Sequence, residues 1–161
     1  MEEAEEKIEE QKEKTKTEKS AGAIIYYADE KGPKFLLLKY KTYWGFAKGI
    51  IEAEEGIEET MKREVKEETG LDNLEIIPGF RYVQRWFFRA EGRLVSKEAI
   101  FLLVKVTEEQ ASKVKISFEH EDFKWLSYEK ALSYIKIKNN KEMIKSAYDF
   151  VKKYEEQKRL L

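Results

Sequence analysis

The chain has 161 residues, 42% apolar and 39% charged, and its 31 Lys and Arg nearly balance 32 Asp and Glu for a net charge of −1. That length suits one domain with a proper core, and so even a balance gives no overall case for a nucleic-acid or membrane partner. With no Cys there are no disulfides, thiolate nucleophiles or zinc–thiolate sites, and a single His, His120, argues against a multi-histidine metal site or a serine–histidine triad.

Residues 1–19 carry eight Glu and five Lys and little that is apolar. They are expected to be disordered or a frayed helix, because they cannot bury a face. They also lack the apolar segment of a secretion signal. No run anywhere approaches the roughly 18 apolar residues of a membrane span, so the chain is expected in the cytoplasm. The domain is expected over 20–157. "SAGAIIYY" (20–27) reads as a buried strand, "ADEKGP" (28–33) as a turn and "KFLLLKY" (34–40) as the next strand. A glycine-bearing loop, 41–49, leads to a helix over 57–69 with Ile57, Met61 and Val65 as its apolar stripe and Gly70 as its stop. Residues 74–90 read as a strand pair or a bent strand turning near Pro78-Gly79, and Gly92-Arg93 marks a further turn. "EAIFLLVKV" (98–106) reads as a central strand. Thr107 with Gln110 forms a potential capping box. "FKWL" (123–126) is a short strand, Ser127 caps a helix to about Tyr134, and a last helix runs over about 139–157. Strands alternating with helices, together with hairpin turns, predict an α/β (α+β) fold: a mixed sheet with helices packed on it, in a single domain.

The helix over 57–69 holds an anomaly. Glu64, Glu67 and Glu68 fall three and four residues apart, on one face. Like charges at that spacing cost a helix roughly 0.2–0.5 kcal/mol per pair. Two readings account for them. A hard divalent cation such as Mg²⁺ takes carboxylate oxygens and turns the repulsion into attraction. Alternatively, Lys62, Arg63 and Lys66 neutralise an ordinary surface.

The wider spacing supplies more. Gly49, then Glu55, Arg63-Glu64, the aliphatic Val65, Glu67-Glu68, Gly70 and the aliphatic Leu71 resemble the Nudix box (49–71) at every fixed position. The resemblance covers most of residues 20–155 and implies a Nudix-type mixed sheet sandwiched between helices, hydrolysing a nucleoside diphosphate linked to another group. It implies metal ligation by Gly49, Glu64, Glu67 and Glu68, with Mg²⁺ the expected cofactor and Mn²⁺ a substitute. Glu64 is implied as the base, and Arg63 as the residue that orients Glu55. Two more stretches, "YWGFAKGIIE" (43–52) and "ISFEHEDFKWL" (116–126), are similar to segments of asymmetric diadenosine tetraphosphate hydrolases. They imply Glu119 as a further ligand and Lys48 as a phosphate contact; the adjacent His120 is either a substrate contact or a residue that packs the loop. "GFRYVQRWFFR" (79–89) offers arginines among aromatics, which suit polyphosphate and base. Arg81 and Tyr82 are the contacts expected there, with Tyr43 and Trp44 as further stacking candidates, Trp44 alternatively packing under the loop. The expected partner is therefore a small nucleotide, a dinucleoside polyphosphate; the alternatives are another nucleoside diphosphate derivative (an NTP, ADP-ribose or an RNA 5′ end) or a non-catalytic nucleotide-binding module. Departures are Ala47 where that family has proline, Ile50 where histidine is frequent, and Phe87-Phe88 where a tyrosine is often diagnostic.

Overall fold

Strand β1 (Thr15–Asp29) alternates its side chains between two cores. In the computed structural model, which describes residues 1–7 and 15–161, Ala21, Ala23 and Ile25 enter one cluster while Ile24 and Tyr26 enter the other. Strand β2 (Gly32–Lys39) repeats the division, Leu36 and Leu38 against Phe35 and Leu37. Strands apolar on both faces need cover on both faces. Helix α1 (Ile57–Thr69) supplies one cover through Met61 and Val65. The other comes from α3 (Tyr128–Tyr134) and α4 (Lys138–Leu160), through Ala131, Met143, Ile144, Ala147 and Val151. The result is the α+β sandwich expected from the sequence.

The remaining strands are β3 (Trp44–Gly45), β4 (Lys48–Ile50), β5 (Glu75–Ala90), β6 (Arg93–Lys105) and β7 (Asp122–Leu126), with a short helix α2 (Glu108–Ala111) between β6 and β7. The sheet runs β3-β2-β1-β6-β5, with β4 on β1 and β7 on β2. Among the described residues only β1 and β6 pair in parallel. One edge of β1 is shared by two strands, β2 along Tyr26–Asp29 and β4 along Ser20–Gly22. At the intervening Ala23 its N–H donates to the Ala47 carbonyl at 3.0 Å. The chain between β2 and β4 is thus drawn against the middle of the sheet, close to α1.

Several elements differ from the sequence reading. β1 begins at Thr15, not near Ser20, because residues 15–19 continue the parallel ladder with 94–98 of β6. Residues 2–7 are helical and exposed, and the part of the expected extension at 8–14 lies outside the described residues. Pro78-Gly79 makes no hairpin. It produces a register shift within one long strand, between Ile76 and Arg81, with Gly79 at φ 90°. A proline without an N–H and a glycine at positive φ suit such a bulge as well as a turn. The hairpin lies farther on, where Glu91 and Gly92 both take positive φ (52° and 73°), as two-residue primed turns require. The loop expected over 41–49 contains the two short strands β3 and β4. Gly70 ends α1 in the left-handed conformation, the capping box at Thr107 and Gln110 forms, and Ser127 caps α3. No helix among the described residues is long and apolar enough to cross a membrane.

Candidate active site

Helix α1 is held over the edge of β4 by a single arginine. Arg63 Nε and Nη2 grip both Glu55 oxygens (2.8 and 2.9 Å), Nη1 donates to Glu64 Oε1 (2.7 Å), and Nη2 also reaches the Ile50 carbonyl (3.0 Å). A planar guanidinium makes this bidentate grip possible where a lysine could not. Glu55 also accepts from the Glu52 N–H and from Thr60 Oγ1. The Arg63 fork, with these bonds behind it, holds Glu55 down to about 2. Glu64 lies against Gly49 so closely that a Cβ at residue 49 would overlap its carboxylate. Glycine is needed there for close approach rather than for its backbone angles.

The three helical glutamates differ in exposure. The Glu67 side chain is 59% exposed, that of Glu64 only 14%, and Glu68 is buried. Burial pushes Glu64 upward, against the pull of Arg63. Glu68 is pushed up to about 8, chiefly by burial and then by the charges of Glu64 and Glu119, although the Lys48 main chain beside it pulls the other way. One Glu68 oxygen is hydrogen-bonded to His120 Nε2 at 2.9 Å, and the other, Oε2, is buried with no partner among the described residues. An ionised carboxylate in that position is costly unless something positive joins it.

The loop from α2 to β7 brings Glu119 to the same place. Its main chain is tied to the end of α1, Lys115 N–H donating to Thr69 O (2.9 Å) and Ser117 N–H to Glu68 O (3.1 Å), and to β2 through Glu121 N–H and Lys39 O (2.9 Å). Ligand atoms of Glu68, Glu119 and His120 then lie within 4.8 Å of one another. Carboxylate oxygens, one of them orphaned, are the donor set a hard divalent cation takes. His120 itself is sealed behind Glu68, its side chain 0% exposed and its ring edge-on to Tyr40 at 4.6 Å. Burial lowers its affinity for a proton, and its Nε2 shares a single hydrogen bond with Glu68.

On the opposite face of β4 a cavity of about 380 Å³ opens between β5, the 40–48 segment and the start of α4. Tyr43, Phe46, Trp86 and Phe101 give it aromatic walls, and Lys48, Gln84 and Asn140 its polar points. Lys48 Nζ lies 4.8 Å from the centre of the Trp86 ring. Burial, then repulsion from Lys97, makes that ammonium easier to deprotonate. Tyr43 stacks on Tyr40 at 4.7 Å. Trp44 turns away from the cavity and packs edge-on against Tyr134 at 5.5 Å. Tyr82 packs against the core under α4, while Arg81, its neighbour on a strand, faces the other side of the sheet. The alternation that separates them instead puts into the cavity Trp86, one of the aromatics of the 79–89 stretch, and Gln84, which the sequence reading did not single out. So Gly49, Glu64, Glu67, Glu68 and Glu119 gather on one side of β4, Lys48 and Tyr43 meet on the other, and Arg81, Trp44 and His120 lie outside the cavity wall.

A sequence model of the NUDIX domain matches residues 16–149. The chain is 30% identical over 133 residues to the asymmetrical bis(5′-nucleosyl)-tetraphosphatase of Mus musculus, a match covering 80% of this chain and 87% of that protein. It is also 30% identical over 148 residues to dihydroneopterin triphosphate diphosphatase of Haemophilus influenzae, covering 81% and 87%. Among solved structures, a binary complex of C. elegans Ap4A hydrolase superposes with a TM-score of 0.71 at 25% identity, covering 83% of this chain and 96% of that one.

Proposed function

The chain belongs to the Nudix family and is a hydrolase of phosphoric anhydride bonds; from that premise we propose that it cleaves diadenosine tetraphosphate to ATP and AMP with Mg²⁺ as cofactor. The observation that carries this reading is the position of Lys48. Its main chain lies against Glu68, while its ammonium lines the aromatic cavity. A base seated in the cavity therefore sends its phosphate chain past Lys48 and around the β4 edge to the carboxylates. Similarity to the mouse tetraphosphatase supports the dinucleotide as the substrate.

Within this reading the carbonyl of Gly49 and the carboxylates of Glu64, Glu67, Glu68 and Glu119 would hold the cation, for which Mn²⁺ could substitute. When bound, Mg²⁺ neutralises the diphosphate and makes an attacking water more acidic. The residues of the chain do the rest. Arg63 fixes the Glu64 carboxylate by one oxygen and leaves the other for one of two tasks, ligating the cation or taking the proton of the attacking water. Glu55 keeps that guanidinium oriented. Lys48 offsets phosphate charge between cavity and carboxylates. His120 holds Glu68 from behind.

A second reading rests on the H. influenzae relative: the same hydrolysis, with the bicyclic ring of dihydroneopterin triphosphate in the cavity. The two are separated by kcat/KM and product analysis over diadenosine tetraphosphate, dihydroneopterin triphosphate, ADP-ribose and dNTPs in Mg²⁺. We expect equal amounts of ATP and AMP from the dinucleotide, at the highest kcat/KM of the panel. Two ADP as products, or a higher kcat/KM on dihydroneopterin triphosphate, would overturn the assignment.

A further inference from the structure

Two side-chain amides, 56 residues apart in the sequence, meet in the cavity wall. Gln84 projects from β5 and Asn140 from the first turn of α4, and both are more than nine-tenths buried. Gln84 Nε2 donates to Asn140 Oδ1 at 2.9 Å and also points at Met143 Sδ, 3.6 Å away. These bonds fix how both amides are turned. Gln84 is left with its acceptor, Oε1, and Asn140 with its donor, Nδ2. Among the described residues neither atom has a protein partner, and neither is sealed from the cavity that both residues line. A buried amide pair with unused valences is stabilised by a ligand carrying the opposite pattern.

We propose that Gln84 and Asn140 form the base-reading edge of the cavity and select adenine, whose N6 amino group donates to Gln84 Oε1 while its N1 accepts from Asn140 Nδ2. The proposal rests on the nucleotide reading above and names the base. The phosphate chain must leave toward Lys48, and this fixes how the base is turned. Guanine in the same orientation sets its O6 against Oε1 and its N1–H against Nδ2, acceptor on acceptor and donor on donor. It is rejected at both contacts.

The single bond from Gln84 to Asn140 makes the test specific. In Gln84→Glu, Asn140 must turn its Nδ2 toward the new carboxylate and present Oδ1 to the base. In Asn140→Asp, Gln84 keeps its bond and the aspartate presents an oxygen. Either variant therefore shows the base two acceptors, which costs adenine one contact and gives guanine one. The measurement is equilibrium binding of AMP and GMP, with kcat/KM on the corresponding dinucleoside tetraphosphates. Wild type should prefer adenine by at least about tenfold, and both variants should move that ratio toward parity by about tenfold or more. An unchanged ratio in either folded variant overturns the proposal. Wild-type protein supplies a second test independent of folding. Purine riboside 5′-monophosphate, which lacks the N6 donor, should bind at least about tenfold more weakly than AMP, and 7-deaza-AMP should bind as AMP does. Equal binding of purine riboside monophosphate and AMP would also overturn it. If AMP shows this pattern but no dinucleotide is hydrolysed, the substrate assignment fails and the base-reading edge stands.

Discussion

At the scale of single residues, the carboxylates of α1 separate activity from folding. Glu67 is mostly exposed and makes only a long contact, 3.4 Å, with Arg63. Exposed helical pairs of this kind contribute about 0.3–0.5 kcal/mol. Glu67→Gln should therefore leave the unfolding free energy within about 0.5 kcal/mol of wild type while lowering kcat at least about a hundredfold, the upper range seen when even the supports of a metal ligand are removed. Full Mg²⁺-dependent turnover in that variant would remove Glu67 from the site. Two glycines give a second contrast. A Cβ at residue 49 meets first the Glu64 carboxylate, the end of a side chain, whereas one at residue 22 meets the Ala47 carbonyl and the Lys48 main chain. Gly49→Ala should cut activity at least about tenfold with little change in melting temperature. Gly22→Ala should cost about 1–3 kcal/mol of stability by overpacking. Equal melting losses in the two variants would contradict this distinction. The glutamates were legible in the sequence because spacing along one helix is a local property. A lone histidine left substrate contact and loop packing equally open for His120; the structure takes the second, and its partner Glu68 could not be read from spacing.

At the scale of elements, α4 is fastened to the sheet by a polar contact as well as by its apolar stripe. Glu155 Oε1 accepts from Tyr26 Oη (2.8 Å) and from Lys105 Nζ (2.7 Å). Burial raises Glu155, but the bonds from Lys105 and Tyr26 outweigh it and hold the carboxyl below the usual range. A carboxylate lowered on folding adds stability that is complete above its unfolded value of about 4.3 and is lost as pH falls through the folded value. The stability difference between wild type and Glu155→Gln, from urea unfolding at a series of pH values, should stay constant above about pH 5 and shrink below about pH 4. A difference that grows on acidification would contradict the contact. The helix of residues 57–69 was readable to its ends because periodicity and a glycine stop are both local. Pro78-Gly79 was ambiguous, because a bulge and a tight turn ask for the same two residues and only pairing with β6 decides between them. β3 and β4 escaped notice because strands of two and three residues exist only through their partners on β2 and β1.

At the scale of the whole molecule, β4 is the divide. The carboxylates stand on its α1 side, the aromatic cavity lies on its α4 side, and Lys48 touches both. Apart from Glu119, which a distant loop supplies, the sequence carried the first half in 23 consecutive residues. The second half is assembled from β5, β6, the 40–48 segment and α4, whose chemistry shows no fixed spacing along the chain; that is why Gln84 and Asn140 were not found and why Arg81 and Tyr82 were paired although a strand sends them to opposite faces. The central claim is that the acidic side of this divide holds a divalent cation. Titration of the protein with Mn²⁺, followed by the EPR signal of the free ion, tests it without any substrate. The account predicts saturable binding that Mg²⁺ displaces and that Glu68→Gln and Glu119→Gln each weaken at least about tenfold. Binding that survives both substitutions unchanged, or no binding at millimolar Mn²⁺, would contradict it.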